Sequence, residues 1–363
     1  MEFYNCHIHI FKEEDVPRRF LPLGLVRIMS TTAGFNVVAR VLNNINPFSS
    51  NDQFDKYVRF AEVSKFESQE AIFLNCAQHY PRETKFIVMA IDMAFMDAGK
   101  VPRNYLAQLQ ELSALALKYP DNIIPFIHID PRRLDYMGLL KHATTDTGNT
   151  LFQGHKCTGF KGVKLYPPLG HFADDPRLTP VYEFCNTHKL PIIAHGGPES
   201  PTYFRGSRSE IRKMMGDRYD GSIKKRIQLC GQFAHPKYYR EILTQYPDVK
   251  ICLAHWGSEN SWKNYLNNPL DKENWFYWIR DMIQEFPNLY TDISFTLNNP
   301  AFFAPLKLLL GNPNIRQKVL FGSDYYMVKT KRSEKWFSMD FRAFLGDDYF
   351  HQIAYTNIRN FLS

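Results

Sequence analysis

Eight short runs of apolar, β-prone residues recur along the chain, at residues 2–10, 85–93, 123–129, 159–166, 190–194, 249–254, 289–294 and 319–321. Most are nearly continuous in apolar character rather than alternating, the pattern of strands buried on both faces of a parallel sheet. Between them lie stretches of helical periodicity, at residues 54–80, 103–119, 132–143, 178–188, 236–246, 274–286 and 301–310, with a last one at about 339–362. Three of these helices stop at the same punctuation: Tyr119-Pro120-Asp121-Asn122, Tyr246-Pro247-Asp248 and Phe286-Pro287-Asn288. Proline disfavours helical geometry in the residue before it, so these steps mark helix ends and turns into the next strand. Eight strands alternating with eight helices predict a (β/α)8 TIM barrel. An open doubly wound sheet is the competing architecture, but no glycine-rich dinucleotide turn follows the first strand.

Two connections are unusually long, residues 11–53 after the first strand and 196–234 after the fifth. Both leave the carboxyl ends of strands, where barrel enzymes place their sites, and so are expected to form lids or pocket walls. No Gly/Ser-rich linker, low-complexity tract or repeat interrupts the 363 residues, which are expected to form one domain spanning 1–363.

Composition narrows the class. The chain is 44% hydrophobic, 22% charged and 15% aromatic, as in a globular protein rather than a disordered one. Its first strand follows the start directly, with no basic and apolar leader, and no apolar run is long enough to span a bilayer, so a cytoplasmic protein is expected. The six cysteines, Cys6, Cys76, Cys157, Cys185, Cys230 and Cys252, are scattered and form no close pair, which suits buried thiols rather than a zinc knuckle or a disulfide framework. A formal charge of +7 is spread along the chain, with local clusters at 224–226 and 329–335; a solvated surface explains it better than nucleic-acid binding. Attraction of a small anionic substrate is compatible with it.

The candidate chemistry sits at strand ends. In the first strand, Phe3-Tyr4-Asn5-Cys6-His7-Ile8-His9-Ile10, His7 and His9 point the same way because side chains alternate along a strand. His195 follows Pro191-Ile192-Ile193-Ala194, His255 follows Ile251-Cys252-Leu253-Ala254, and Asp324 follows Leu320-Phe321-Gly322-Ser323. Taken singly, a strand-end histidine is more often a hydrogen-bonded loop residue, and a Gly-Ser-Asp more often a capped turn. Four strand ends that each offer a metal ligand, converging on one barrel mouth, are a different matter.

These segments, with Gly162-Val163-Lys164-Leu165-Tyr166-Pro167 and Leu253-Ala254-His255-Trp256-Gly257, resemble the amidohydrolase superfamily. The resemblance is closest to its amidohydrolase-related branch, which includes aminocarboxymuconate semialdehyde decarboxylase and related metal-dependent hydrolases. It implies that His7, His9, His195 and Asp324 bind one divalent metal ion, zinc in the usual case, with His255 and Asp324 catalytic. One departure is visible: the family often has Asp two residues before the first histidine, and this chain has Asn5. Lys164 stands about where binuclear members carry a carboxylated lysine that bridges a second metal. The alternative, favoured here, is a cation near substrate or behind the metal ligands, with Tyr166 and Trp256 as pocket walls. For His128 and Asp130 a pocket-lining role stands as the alternative to an ordinary strand-end turn with Pro131, the favoured reading, and Arg205, Arg208, Arg212 and Lys213 are read as a basic helix start rather than a carboxylate clamp.

The resulting expectation is a metal-dependent hydrolase of a small anionic ester, lactone or amide, acting through a metal-activated water. In it Asp324 takes a proton from the water, and His255 with the metal stabilises the oxyanion. Nonoxidative decarboxylation of a small unsaturated or aromatic acid is the alternative, and a non-catalytic ligand-binding barrel is a third reading. A small-molecule substrate is the expected partner, with neither nucleic acid nor membrane; the resemblance implies a homodimer.

Overall fold

The computed structural model describes residues 2–20, 66–144, 158–325 and 333–363. Its centre is one sheet of eight strands in sequential order: β1 (Tyr4–Ile8), β2 (Lys85–Met89), β3 (Ile123–His128), β4 (Gly162–Leu165), β5 (Ile192–His195), β6 (Ile251–Ala254), β7 (Leu289–Asp292) and β8 (Val319–Leu320). Every neighbouring pair is parallel. The chain beyond β8 returns to β1: Cys6 N donates to Phe321 O at 2.9 Å, Asp324 N to His7 O at 2.8 Å, and Ile8 bridges to Tyr325. This seam closes the sheet into the expected (β/α)8 barrel. The strands are shorter than the apolar runs that predicted them, because burial continues past the ladder, as at Ile91 and Met93 after β2.

Burial on both faces explains the continuous apolar runs. Ile127, Val163, Leu165, Ile192, Ile251 and Leu253 face outward into the helical layer. Tyr4, Cys6, Ile87, Met89, Phe126, Ile193, Cys252, Tyr290 and Leu320 fill the barrel interior. The Phe126 ring occupies the space that a side chain at Gly162 would need. From the amino ends of the strands, Ile358 and Phe361 of the last helix, Asn357–Leu362, close the interior, with Phe361 against Tyr290 at 5.4 Å.

The outer helices include Gln69–Ala77, Tyr105–Lys118, Tyr136–Thr144, Thr179–His188, Tyr239–Gln245, Trp275–Glu285 and Phe303–Leu309. Asn104 and Asn274 cap two of them by accepting from the backbone N–H of Leu106 and Phe276. The connection after β5 is not a bare loop; it carries helices Arg208–Met215 and Arg226–Gly231. A helix over Ser258–Asn267 has no counterpart among the predicted ones, since it is mostly polar and only Ser261 and Trp262 of its face are buried. The expected single helix at the chain end is a succession of shorter helical segments from Trp336 to Leu362, interrupted at Gly346. The long connection at 11–53 is described only to Phe20, and the expected helix at 54–80 only from Phe66. Part of the basic cluster at 329–335, and Cys157, also lie outside the described residues; the other five cysteines are buried thiols. Among the described residues no helix is long and apolar enough to cross a membrane.

One irregularity sets the site. Between Asn5 and Ile8 the β1–β2 register slips: Asn5 pairs with Phe86 and Ile8 with Val88. Three steps on β1 match two on β2, which is the signature of a bulge, and a bulge exchanges the faces of all later residues. Tyr4 and Cys6 therefore face the interior, Ile8 and Ile10 face the helices, and His7 and His9 turn inward. The seam presses close here. A Cβ on Gly322 would lie 2.7 Å from the His7 Cβ and 3.3 Å from the Cys6 Sγ. Gly322→Ala is expected to cost about 1–3 kcal/mol through this overpacking. Urea denaturation checks it, and a variant as stable as the parent would mean that the seam is looser than described.

Candidate metal centre

The bulge, the seam and three strand ends bring five predicted residues to one place. His7 Nε2 lies 3.7 Å and His9 Nε2 3.9 Å from Asp324 Oδ1. Ligand atoms of His7, His9 and Asp324 all fall within 4.8 Å of one another, and so do those of His7, His255 and Asp292. The rings continue as a chain of contacts: His7 to His9 at 5.3 Å, His7 to His255 at 4.8 Å, and His255 to His195 at 4.9 Å between centroids. His195 thus stands beyond His255 and outside the tightest ligand group.

The hydrogen bonds settle which nitrogen of each ring carries its proton. His9 Nδ1 lies 2.9 Å from Met89 O, a pure acceptor, so Nδ1 holds the proton and Nε2 a lone pair. His7 Nδ1 donates to Asp292 Oδ2 at 2.8 Å, which likewise leaves Nε2 bare; among the described residues that buried atom has no hydrogen-bond partner. Ser294 Oγ gives its single proton to Asp292, so it can only accept from His255 Nδ1 at 2.9 Å, and Ser294 O accepts there too at 3.1 Å. His255 therefore also presents a lone pair at Nε2. Two bare imidazole nitrogens beside a carboxylate, with nothing polar to satisfy the His7 nitrogen, fit a divalent cation: ligand atoms sharing an ion at about 2.0–2.2 Å lie roughly 3–3.5 Å apart. His195 adds two further buried nitrogens without a well-formed hydrogen bond, and its ring stacks on Tyr166 at 4.9 Å.

The residue that organises the group is Asp292, at the end of β7. Its carboxylate accepts from His7 Nδ1, from His255 N at 2.9 Å, from Ser294 N at 3.0 Å and from Ser294 Oγ. Burial works to raise its pKa, but His7 and His255 outweigh it and hold the carboxylate below the usual range. Burial lowers His7 to about 3 and His255 to about 4, and takes His9 and His195 well below their ordinary value, so all four rings are neutral at pH 7, as metal ligation requires. Burial raises Asp324, with Lys164 opposing. Lys164 is itself lowered to about 8 by burial, with Asp292 and Asp324 opposing.

Backbone strain is concentrated at the same place. His255, Trp256 and Asp324 have φ of 68°, 38° and 59°, a left-handed region that side chains other than glycine seldom enter, and Phe295 follows at 59°. The strand ends are held out of ordinary geometry where the candidate ligands emerge.

Not every expected residue faces the cluster. The Trp256 ring stacks on Phe276 at 5.1 Å and meets Trp262 at 5.3 Å, which makes it a packing residue of the helical layer. Tyr166 donates or accepts at Ser200 Oγ at 2.7 Å and backs His195. Arg205 binds Tyr203 OH and the carbonyls of Phe20 and Pro201, and Arg208 binds those of Lys224 and Ile223, so both staple the loop after β5. Arg212 and Lys213 are exposed on its helix, Arg208–Met215. Asp292 and Ser294 were missed by sequence reasoning, although an acid near the end of the seventh apolar run is the same kind of signal that singled out Asp324.

Asn5 has a specific place as well. Its Oδ1 accepts from His7 N at 3.2 Å and Ser323 N at 3.1 Å, and its Nδ2 donates to Ser323 Oγ at 2.9 Å and Tyr80 OH at 3.1 Å. Tyr80 OH donates in turn to Glu334 Oε1 at 2.6 Å. Because the Tyr80 proton is committed to Glu334, position 5 must supply a donor, which an aspartate lacks.

With the fold and the ligand cluster in place, comparison identifies the class. The family model described as Amidohydrolase (Amidohydro_2) matches residues 75–363, and the chain belongs to this family. The match begins after β1, so His7 and His9 lie outside it. Similar solved structures include a dihydroxybenzoic acid decarboxylase from Polaromonas sp. JS666 with bound manganese and 2-nitroresorcinol, 13% identical with a TM-score of 0.55 over 99% of this chain and 96% of that one. Others are 2,6-dihydroxybenzoate decarboxylase from Rhizobium (13%, 0.53, 100% and 98%) and 4-oxalomesaconate hydratase from Rhodopseudomonas palustris (14%, 0.51, 99% and 95%). At such identities the likeness establishes the fold. No curated protein matches the chain.

Two outcomes test this description of the site. Asp292→Asn removes the acceptor that holds His7 in its tautomer, and metal affinity measured by competition with a chelator is expected to fall about 10–100-fold; unchanged affinity would show that His7 is oriented by something else. Asn5→Asp sets an acceptor against Tyr80 OH and is expected to destabilise the fold by about 1–3 kcal/mol, read from the denaturation midpoint, with Asn5→Asp/Glu334→Gln recovering part of the loss.

Proposed function

We propose that the protein is a metal-dependent hydrolase of a small anionic ester, lactone or amide, with His7, His9, His195 and Asp324 holding one divalent ion, zinc first among the candidates. A divalent ion at that position supplies Lewis-acid polarisation of a substrate or water oxygen. The observation that carries the reading is the set of proton acceptors around it. Asp324 Oδ1 stands between the lone pairs of His7 and His9, and His255, its Nδ1 proton committed to Ser294, offers a lone pair at Nε2. Such a set takes a proton from an attacking water. Asp324 accepts that proton and returns it to the leaving group. The tautomer also changes the role first expected of His255: as a neutral ring it accepts rather than donates, so it acts as a base or orients the water and does not donate to an oxyanion.

Nonoxidative decarboxylation is the second reading, supported by the likeness in fold to two dihydroxybenzoate decarboxylases. It asks for a proton donor at the carbon that loses carbon dioxide, and protonated Asp324 is the group in reach of the cluster.

Purified protein is expected to hold about one equivalent of divalent metal, measured by elemental analysis, and His7→Ala/His9→Ala to lose it; retention of metal in that variant would move the site elsewhere. Asp324→Asn is expected to lower turnover by at least about 10²-fold while the fold survives. The choice of reaction rests on two assays of the metal-loaded protein. Acid release from lactones and esters supports hydrolysis, and carbon dioxide release from hydroxybenzoates without it overturns hydrolysis in favour of decarboxylation.

A further inference from the structure

On the far side of the barrel mouth from the seam, two donors lie side by side with no hydrogen-bond acceptor among the described residues. His128 and Lys164 are direct partners in the β3–β4 register. Register partners on parallel strands point to the same face, about 4.8 Å apart. That face is the interior, since Phe126, two residues before His128, belongs to the inner layer and meets the backbone of Gly162, two residues before Lys164. Both side chains are fully buried, and neither His128 Nε2 nor Lys164 Nζ has a hydrogen-bond partner among the described residues.

The polarity of the pair follows from its neighbours. Asp92 N donates to His128 Nδ1 at 2.9 Å, so that nitrogen is the acceptor and the proton sits on Nε2. Lysine nitrogen only donates while it is charged. Asp324 lies within electrostatic range of Lys164 but makes no hydrogen bond with it, and the other nearby acids are engaged. Asp130 is held by Arg132 through two contacts of 2.8 and 2.6 Å, Asp92 by Arg133 at 2.6 Å, and Asp292 by His7, His255 and Ser294. A buried ammonium beside a buried N–H, with no acceptor, is a costly arrangement unless an anion completes it.

We propose that Lys164 Nζ and His128 Nε2–H form an anion anchor that binds a carboxylate of the substrate, between the ends of β3 and β4. This rests on the reading of the cluster as a catalytic site and narrows the substrate to an organic acid. Lys164 lies within electrostatic range of Asp324, so an acid anchored there presents its remaining atoms toward the cluster. His128 lies in a region that the sequence assigned to a simple turn. Asp130 does make that turn, accepting from Arg132 N at 2.9 Å, while His128 faces inward.

The test is calorimetric titration of the zinc-loaded protein with benzoate and with its neutral isostere benzamide. The parent is expected to prefer benzoate. Lys164→Met should weaken benzoate at least tenfold and leave benzamide and zinc content unchanged, whereas Lys164→Arg keeps most of the preference. His128→Phe, which removes the second donor without touching the lysine, should weaken benzoate by a smaller factor and stands in if Lys164→Met does not fold. A parent that does not distinguish the two ligands, or a preference that survives in both variants, overturns the proposal. So does a carbamate resonance from protein equilibrated with ¹³C-bicarbonate together with loss of zinc in Lys164→Met, because Lys164 would then be an anionic ligand. The titration needs no turnover, so failure to find a reaction would count against the hydrolase reading and leave the anchor standing or falling on its own data.

Discussion

The site depends on the seam where the end of β8 lies against β1. Two backbone hydrogen bonds, Cys6 N to Phe321 O and Asp324 N to His7 O, hold the first and last strands together at the point where candidate ligands leave both. The second of these bonds runs directly between the backbones of His7 and Asp324, so the spacing of their side chains is set by the barrel's closure rather than by a flexible loop. Gly322 allows the approach, the β1 bulge aims the histidines, and Asn5 ties the bulge to Ser323 through both ends of its amide. Each device is short-range, and each fails if the two strands slip by one residue.

Electrostatics in the mouth divide along the same line. The seam side gathers lone pairs and carboxylates: His7, His9, His255, Asp292 and Asp324. The opposite wall, at β3 and β4, gathers donors whose neighbouring acids are engaged with arginines. A cation suits one side and an anion the other, and in an apolar barrel the two sites reinforce each other because little solvent screens them. A buried lysine without a hydrogen-bonded partner is a poor choice for stability alone, so its place in the mouth reads as functional.

Much of this was legible in the sequence, for a definite reason. Two-sided burial writes itself as continuous apolar runs, so all eight strands could be placed, and the candidate ligands followed as the polar residues that end those runs. What could not be read were features that depend on partners far along the chain. The bulge exists only in the pairing of β1 with β2, and without it the periodicity of Tyr4, Cys6 and Ile8 points His7 and His9 at the helices. Asp292 carried the same kind of signal as Asp324, but the apolar run at residues 289–294 continues past it to Ile293, so it did not stand out as the residue that ends the strand. The direction of the His7, His9 and His255 protons, and with it the change of His255 from donor to acceptor, comes from hydrogen bonds to Met89, Asp292 and Ser294 that no spacing rule predicts. Trp256 was misplaced because adjacency to a site residue in sequence does not decide which face a ring takes once φ turns positive.

The closing contacts also impose an order in time. Asn5 and Ser323 are 318 positions apart, and the interior is sealed from below by Ile358 and Phe361 near the end of the chain. During synthesis the two histidines of β1 emerge before β7 and β8, so neither Asp292 nor Asp324 stands beside them until those strands have emerged and docked. A metal ion met early finds only a pair of exposed imidazoles on an unpaired strand. Selective loading of the proposed metal site therefore belongs to the finished barrel, and a chain lacking its last helices keeps the histidines but not the chamber around them.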